Sequence, residues 1–399
     1  MVKIFYLSQE HPLPNNPISQ IFITYRVKVL NAQRQDPDLY FLEKKYGSGC
    51  AFLRKMLGKT DYQNQHLPVI RDGIKWNGVV YKFGFKELIQ RKINKNKFER
   101  QSCEKIARDI LSSTDFTNYD MIHCYSPYPE GYVGTLLSQK TGLPLVITCI
   151  GSDIHTRPQL NPVIRELTVA AMTKANKVIF VSNSLLDTAQ KLGYSGENAV
   201  VIPNGVDLTT FTIQERESNK RELGLSGKVV GFVGNLIRVK RADMFPAIFK
   251  QIQETQKNVE FLIVGDGEFK KSIADKCKIL GIRAKFMGFV ETPLVPKCMN
   301  AMDVLILPSR NEGFPCVVLE AQACGVPIVG SGNGGVPEAI GDAGIIVKEG
   351  MQFEERFADA VIKAVNMKWD RDLLRRRALK FDWNVTVQKE IEIYQSVVK

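Results

Sequence analysis

The chain has 399 residues with a formal net charge of +12 at pH 7, and 44% of its residues are hydrophobic. This length exceeds one ordinary hydrophobic core, so we expect two domains of roughly 200 residues each. The composition excludes a disordered chain, and no apolar run reaches the ~20 residues that cross a bilayer. The eight cysteines form no Cys-x-x-Cys pair, which argues against zinc and redox motifs and fits a reducing cytoplasm. No export signal is visible, and we predict a cytoplasmic protein.

The positive charge is concentrated between residues 41 and 100, where 14 Lys and Arg residues outnumber five Asp and Glu residues. Apolar and aromatic side chains such as Trp76 and Phe85 are interleaved with these charges. Such a mixture is typical of a surface that contacts anionic lipid headgroups, here at the inner face of the cytoplasmic membrane. A nucleic-acid partner is the rival explanation. No recognition motif accompanies the charge, so we expect the protein not to bind nucleic acid. An ordinary solvated basic face is the third alternative.

Short apolar segments alternate with helical patterns through most of the chain, which predicts parallel sheets in an α/β fold. A polar stretch at residues 214–220 separates two sets of strands, so we place the first domain at 1–205 and the second at 206–383. A final helix over 384–399, apolar at three- and four-residue spacing, is assigned to the first domain. The predicted strands cover residues 2–7, 121–124, 145–148, 178–181, 199–202, 229–233, 259–264, 285–289, 304–307, 327–329 and 344–347.

In the first half, polar side chains lie at the ends of two successive strands. His123 and Tyr128 belong to one strand and the loop after it, and Asp153 and His155 follow the next strand. Because the carboxyl ends of parallel strands meet at one edge of a sheet, we expect these residues to line one wall of a cleft. A structural role for the histidines is the alternative.

In the second half, glycine-bearing loops follow the predicted strands. The loop after residue 233 contains Asn235, Arg238 and Lys240, whose two cations could neutralise a diphosphate. Gly265 and Asp266 belong to a second loop, and residues 330–338 to a third, and both permit close backbone approach to a ligand. Ordinary turn chemistry explains each loop alone, but their placement at successive strand ends favours a binding site.

Two carboxylates, Glu312 and Glu320, bracket a turn and the start of a predicted helix. Backbone N–H groups at Gly313, Phe314 and the helical turn that Pro315 opens could bind phosphate, helped by the helix dipole. Glu320 could accept hydrogen bonds from the vicinal hydroxyls of a ribose, and Glu312 could hold a transferred sugar. The alternative is that both carboxylates are solvated surface groups.

The order of these motifs resembles family 4 of the retaining glycosyltransferases, especially members that build bacterial cell-surface polysaccharides. The resemblance covers the chain from Met121 to the end and is poor before it. The segments that carry it are Tyr128-Pro-Glu-Gly-Tyr132, Gly151-Ser-Asp-Ile154, Asn204-Gly-Val-Asp207, Gly234-Asn-Leu-x-x-x-Lys240, Gly265-Asp-Gly267, Phe286-Met-Gly-Phe289, Pro308-Ser-Arg-Asn-Glu-Gly-Phe-Pro315, Glu320-Ala-Gln-Ala-Cys-Gly-Val-Pro327 and Gly334-Gly-Val-Pro-Glu338.

This resemblance implies a GT-B fold, in which two Rossmann-like domains face each other across a cleft and a C-terminal helix crosses back to the first domain. It implies that Glu312 contacts the donor sugar, Glu320 the ribose and Lys240 the diphosphate. The strand end that carries Phe286, Gly288 and Phe289 would bind the base through its backbone. The first domain would hold most of the acceptor.

The expected activity is transfer of a hexose-type sugar from a nucleoside diphosphate to a glycan or lipid-linked acceptor, by front-face attack with retention and without a metal ion. Three departures from the family pattern bear on this expectation. Asn235 stands where an arginine is usual, Ile150 where many relatives have histidine, and residues 9–16 where a glycine pair is common. The alternatives are a nucleotide-sugar epimerase or hydrolase of the same fold, and a non-catalytic nucleotide-sugar-binding subunit.

Overall fold

A computed structural model describes residues 1–8, 21–46, 69–71, 73–83 and 94–398. It divides into two compact units, the first formed by Met1–Ile202 with Val387–Lys399 and the second by Pro203–Thr386. Most of the basic segment at 41–100 lies outside the described residues, and so do residues 9–16. In the described part of the chain, no helix combines the length and apolar character that a bilayer crossing requires.

The first unit contains a sheet with the order β3-β4-β2-β1-β5-β6-β7-β8, counted over the described residues. Only β3 runs antiparallel to its neighbour β4; the other pairings are parallel. The central strands are apolar and buried along their whole length, as expected where helices cover both faces of a parallel sheet. The strands are β1 Lys3–Ser8, β2 Asp36–Tyr46, β3 Val69–Arg71, β4 Ile74–Phe83, β5 Met121–Tyr125, β6 Leu145–Cys149, β7 Lys177–Phe180 and β8 Ala199–Val201.

The helices of the first unit follow its strands, and several begin with a side-chain cap. Asn161 accepts a hydrogen bond from the N–H of Val163, and Ser182 accepts one from that of Leu185, which satisfies otherwise unpaired helix N-termini. The helices described in this unit are Ile21–Ala32, Lys95–Ser113, Tyr132–Thr141, Ser152–His155, Pro162–Lys174 and Asn183–Lys191, together with the last part of the C-terminal helix Trp383–Val397.

A buried ion pair fixes the C-terminal helix in the first unit. Nη1 of Arg26 lies 2.5 Å from Oε2 of Glu390, and both side chains are fully buried. The second carboxylate oxygen of Glu390 accepts a hydrogen bond from the hydroxyl of Tyr394, whose oxygen lies 2.8 Å from Nδ1 of His123. A charge this deep is tolerated only with a well-placed partner, so the last turns of the chain complete the core of the first unit.

The second unit contains a wholly parallel six-stranded sheet with the order β11-β10-β9-β12-β13-β14. Its strands are β9 Lys228–Val233, β10 Val259–Val264, β11 Ala284–Gly288, β12 Val304–Leu307, β13 Ile328–Ser331 and β14 Gly344–Val347. Its α-helices are Arg216–Glu222, Phe245–Thr255, Lys270–Ile279, Val295–Asn300, Cys316–Ala323, Val336–Ile340, Phe353–Asn366 and Arg371–Ala378. Both units therefore have the Rossmann-like architecture that the sequence predicts.

The structure confirms each of the predicted strands, with ends displaced by at most two residues. The sequence missed β2, β3 and β4. β2 begins with Asp36 and Asp38 and contains Glu43, Lys44 and Lys45, which are poor strand formers, so its local pattern favours a loop. Pairing with β1 at its first half and with β4 along most of its length overrides that preference, and Nζ of Lys3 binds Oδ2 of Asp36 at 2.8 Å.

We predict that Glu390→Ala destabilises the first unit by about 3–5 kcal/mol, because the buried guanidinium of Arg26 then loses its carboxylate. Chemical denaturation and limited proteolysis near the C-terminus would measure the effect. Glu392→Ala is the matched control, since Glu392 lies on the same helix but is exposed. Equal stability of the two variants would contradict the assigned role of the ion pair.

Candidate active site

The strand order of the second unit reverses between β9 and β12, which lie side by side. From β9 the sheet continues through β10 to β11, and from β12 it continues in the other direction through β13 to β14. Loops that leave two such strands at their carboxyl ends diverge and open a crevice, the usual ligand site of open α/β sheets. The loop after β9 carries Lys240, and the loop after β12 carries Glu312.

Lys240 and Glu312 form an ion pair at this crevice. Nζ of Lys240 lies 2.5 Å from Oε1 of Glu312, and 21% and 13% of the two side chains are exposed. Ser309 donates its hydroxyl hydrogen to the same carboxylate oxygen at 2.7 Å. Oε2 of Glu312 receives no hydrogen bond from the described residues, so it is available to a ligand hydroxyl.

Arg310 joins the two loops that carry this pair. Its guanidinium donates to Oδ1 and Oδ2 of Asp243 at 2.9 and 3.1 Å and to the carbonyl of Arg238 at 2.5 Å. Its backbone N–H donates to the carbonyl of Val239 at 2.7 Å. Burial opposes ionisation of Asp243, but the hydrogen bond from Arg310, its positive charge and smaller contributions together outweigh burial and lower the pKa of that carboxyl. A bidentate contact of this kind restricts orientation as well as distance.

The glycines of these loops permit close approach between backbone segments. A Cβ at Gly265 would lie 2.0 Å from the carbonyl oxygen of Gly234, and one at Gly334 would lie 2.2 Å from that of Glu312. The N–H of Gly335 donates to the same Glu312 carbonyl at 3.0 Å. The sequence predicts close approach to a ligand at Gly265 and within residues 330–338. The contacts observed are with the protein's own backbone, which holds the strand-end loops together.

The helix Cys316–Ala323 begins a few residues after Glu312, with Pro315 at its N-cap and no side-chain cap. Within the described residues, the N–H groups of Gly313 and Phe314 have no hydrogen-bond acceptor, so they are available to an anion beside the positive end of the helix. At the other end, the carbonyls of Ala323 and Cys324 accept from Arg375 and Arg371 at 2.7 and 3.0 Å.

Glu320 lies on this helix and is half-buried. Burial raises the pKa of its carboxyl from 4.5 to about 7. Its side chain accepts no hydrogen bond from the described residues, which is unusual for a carboxylate in such a position. A partly buried acceptor without a protein partner fits a group that binds ligand hydroxyls.

The remaining predicted donor-site residues lie on neighbouring strand ends. Asp266 follows β10, and Lys270 binds its Oδ2 at 2.6 Å and lowers the pKa of the carboxyl. Phe286 and Gly288 belong to the end of β11, and the ring of Phe289 just after it is 45% exposed.

Asn235 and Arg238 are both exposed in the loop after β9. Arg238 contributes to the negative shift of the Asp243 pKa, after the larger effects of burial and Arg310. The described structure therefore brings Lys240, Glu312 and the N–H groups of Gly313 and Phe314 together, whereas the side chain of Arg238 has no hydrogen-bond partner among the described residues.

His123 is wrongly predicted as a cleft residue. It is fully buried in the first unit, and its two ring nitrogens lie 2.8 Å from the hydroxyl oxygens of Tyr394 and Thr148. Burial, reinforced by the charge of Arg26, holds its pKa well below the ordinary value, so the ring is neutral. Its role is structural because both nitrogens are already engaged.

Three other first-unit candidates follow strands as expected. Asp153 is buried and accepts hydrogen bonds from the N–H groups of Ile150 and Gly151; burial raises its pKa although these bonds oppose the shift. The hydroxyl of Tyr128 donates to Glu99 at 2.7 Å. His155 is half-buried at the end of the short helix Ser152–His155. The carboxylate of Asp153 thus shapes the loop itself.

Sequence reasoning missed the groups that position the ion pair: Ser309, Arg310 as a clamp, and Asp243. Ser309 and Arg310 stand three and two residues before Glu312, within the motif already noted, and their proximity was a usable signal. Nothing local in the sequence marks Asp243. Among the described residues, no group of three or more His, Cys, Asp or Glu side chains is placed to hold a metal ion.

Two models of known protein families match the chain. Residues 227–367 match the model described as Glycosyl transferases group 1, and residues 84–210 match that of Glycosyltransferase Family 4. Together the two matches span about two thirds of the chain. The chain is a glycosyltransferase with a group 1 and a family 4 domain.

Relatives of this glycosyltransferase include the putative teichuronic acid biosynthesis glycosyltransferase TuaC of Bacillus subtilis. It is 25% identical over 395 residues, which cover 98% of this chain and 95% of TuaC. The N-acetyl-alpha-D-glucosaminyl L-malate synthase of Bacillus anthracis is 29% identical over 58% of this chain and 62% of that enzyme.

A solved structure of Anabaena HepE in complex with UDP has a TM-score of 0.71 and 20% identity, covering 99% of this chain and all of that one. The outer core galactosyltransferase WaaB, a lipopolysaccharide enzyme, has a TM-score of 0.66 and 16% identity, covering 99% of both chains. At these identities the likeness shows the fold, and the glycosyltransferase has the GT-B fold that the sequence predicts.

We predict that Glu320→Gln stabilises the glycosyltransferase at alkaline pH. The carboxyl stays protonated up to about pH 7 when folded but ionises near 4.5 when unfolded, so its burial lowers stability as pH rises through this interval. The shift corresponds to a free-energy cost of up to about 3 kcal/mol above pH 8. Melting temperatures at pH 5 and pH 8.5 would reveal a gain for Glu320→Gln that grows with pH.

Glu268→Gln is the control, since Glu268 is an exposed residue of the same unit. A Glu320→Gln protein that melts with the wild type at pH 8.5 would contradict the raised pKa.

Proposed function

We propose that the protein is a retaining glycosyltransferase that moves a hexose-type sugar from a nucleoside diphosphate to a glycan or lipid-linked acceptor in cell-surface polysaccharide synthesis. The observation that carries this proposal is the contact of Lys240 with Glu312 where the strand order reverses, beside the free N–H groups of Gly313 and Phe314. Cation, carboxylate and anion-binding backbone are the three groups that a sugar diphosphate requires.

Lys240 would bind the diphosphate. Its ammonium has three N–H bonds, and the pairing with Glu312 uses one of them, so two remain for phosphate oxygens. The N–H groups before the helix Cys316–Ala323 would contact the same phosphates, with the positive end of the helix dipole behind them. Negative charge develops on the departing diphosphate in the transition state, so preorganised donors at this position lower the barrier.

Glu312 would hold the donor sugar through Oε2, while its other oxygen stays fixed by Lys240 and Ser309. Glu320 would accept hydrogen bonds from the two ribose hydroxyls, since its carboxylate has no hydrogen-bond partner among the described residues. Phe286, Gly288 and Phe289 would contact the base, and Asn235, Gly265 and Asp266 would complete the donor site.

Retention is part of the proposal through the family resemblance. Double displacement needs a carboxylate nucleophile beneath the sugar. We propose front-face attack instead, with the leaving phosphate accepting the proton of the acceptor hydroxyl and with cationic side chains, rather than a metal ion, balancing its charge. Oε1 of Glu312 is held by Lys240 and Ser309, which supports a positioning role for this carboxylate over a nucleophilic one.

The names of two similar proteins support the acceptor class. TuaC is named for teichuronic acid biosynthesis and WaaB for the lipopolysaccharide outer core, and both names point to surface glycans. In this proposal the first domain binds the acceptor near Asp153 and His155. We also predict that the basic segment 41–100 contacts anionic lipids at the inner face of the cytoplasmic membrane. Most of that segment lies outside the described residues.

We predict that one class of nucleotide sugar binds saturably and that Glu320→Ala and Lys240→Ala each weaken its binding at least tenfold, an energetic loss of about 1.4 kcal/mol. The measurement is calorimetry against UDP-, GDP- and ADP-sugars. UDP-glucose comes first because HepE has been solved with UDP-glucose. Lys271→Ala, an exposed residue of the same unit, is the control. Absence of binding to folded wild-type protein would overturn the donor site.

We predict that Glu312→Ala lowers transfer by about 10²–10³-fold, as removal of a preorganised transition-state contact does, while the melting temperature changes little. Ser309→Ala should lose less, since Lys240 still holds the carboxylate. Release of UDP with and without a glycan acceptor measures the reaction and separates a transferase from a hydrolase. Full transfer by Glu312→Ala would refute its assigned role.

A further inference from the structure

Glu349, in the loop after β14, connects two loops of the candidate site through a single oxygen. Its Oε1 accepts a hydrogen bond from Nη2 of Arg241 at 2.7 Å and another from Nδ2 of Asn333 at 2.6 Å. The three residues come from the loops that follow β9, β13 and β14.

The two residues that Glu349 binds belong to the loops that carry or contact the Lys240–Glu312 ion pair. Arg241 directly follows Lys240 in the chain. Asn333 lies two residues before Gly335, whose N–H donates to the carbonyl of Glu312 at 3.0 Å. A shift of the Glu349 carboxylate would therefore move the backbone on both sides of the Lys240–Glu312 contact.

Arg241 has a backbone conformation that its side chain must help to maintain. Its φ is +55° and its ψ is +31°, the left-handed region, which is unfavourable for a residue with a Cβ. Its guanidinium carbon lies 3.8 Å from the centre of the Phe353 ring, and only 7% of the side chain is exposed. The contact with the Phe353 ring and the hydrogen bond to Glu349 hold Arg241 in place. The backbone conformation of Arg241 in turn fixes the orientation of Lys240, which directly precedes it.

We infer that Glu349 is a positioning residue for sugar transfer, acting through Arg241 and Asn333 to set the distance between Lys240 and Glu312. This inference rests on the proposed function. Glu349 touches neither the phosphate-binding N–H groups nor Glu320, and Lys240 keeps its charge when Glu349 is removed. Loss of Glu349 should therefore reduce the rate of transfer much more than it weakens nucleotide binding.

The exposure of Glu349 distinguishes positioning from simple stabilisation. Its side chain is 41% exposed, and ion pairs at such positions contribute little to the stability of a fold. Loss of the carboxylate should therefore leave the melting temperature nearly unchanged. Small misplacements of reacting groups, in contrast, reduce rates strongly.

The test compares Glu349→Ala with the matched control Glu355→Ala, an exposed glutamate six residues further on. With UDP-glucose as donor, Glu349→Ala should lower kcat about tenfold or more, leave the Kd for UDP within about twofold and melt with the wild type. The control should match the wild type in all three measurements.

Arg241→Gly supplies a second variant, since glycine adopts the left-handed backbone without strain. If Arg241 acted only through its backbone, this variant would keep full turnover; we expect it to lose turnover as Glu349→Ala does, and Arg241→Lys to recover part of it. Equal kcat for Glu349→Ala and Glu355→Ala would overturn the inference. A loss of kcat accompanied by an equal loss of UDP affinity and a lower melting temperature would also overturn it.

Hydrogen exchange separates this inference from the proposed function. Glu349→Ala should speed amide exchange at residues 238–244 and 331–336, and Glu355→Ala should not, whatever the substrate. If the wild type turns over no nucleotide sugar, the proposed function fails, and unchanged exchange in these two segments would independently refute the link between the loops.

Discussion

The contact between Lys240 and Glu312 depends on the adjacency of β9 and β12, which are separated by two other strands in the sequence. Neither loop alone contains both a cation and a carboxylate in contact. Parallel pairing of Val304 with Val230 and of Leu305 with Gly231 sets the register of the two strands, and that register sets where their loops begin. A slip in register would change which loop residues meet at the sheet edge. The candidate chemistry is therefore a property of the whole sheet.

Gly231 shows how tightly packing holds this register. A Cβ at this position would lie 2.0 Å from the sulfur of Met302, so any larger residue would displace this buried side chain, which precedes β12 by two positions. Ser331 adds a second restraint at the other side of β12, where its hydroxyl donates to the carbonyl of Ser309 at 2.5 Å. The loop that carries Glu312 is thus fixed from below by packing and from the side by hydrogen bonds.

The sequence predicted the elements whose burial is continuous, because an unbroken apolar run such as that of β12 has few alternatives to a buried parallel strand. It missed β2, whose charged residues become a strand only through pairing with β1 and β4. The candidate site shows the same division. Glu312 and Lys240 were found from their motifs, whereas Glu349 and Asp243 act through contacts 108 and 67 residues away in the chain. His123 was misassigned because the partner that buries it lies 271 residues further on.

The discontinuity of the first unit has a consequence for synthesis. Glu390 lies 364 residues after Arg26 in the chain, so the ion pair cannot form until the ribosome has made the whole segment between them. The second unit, by contrast, is one uninterrupted segment, Pro203–Thr386, and this segment is complete before Glu390 emerges. Domains tend to fold as units during translation, usually the N-terminal one first. Here the order is inverted for the final step, and the N-terminal unit is the last to be closed.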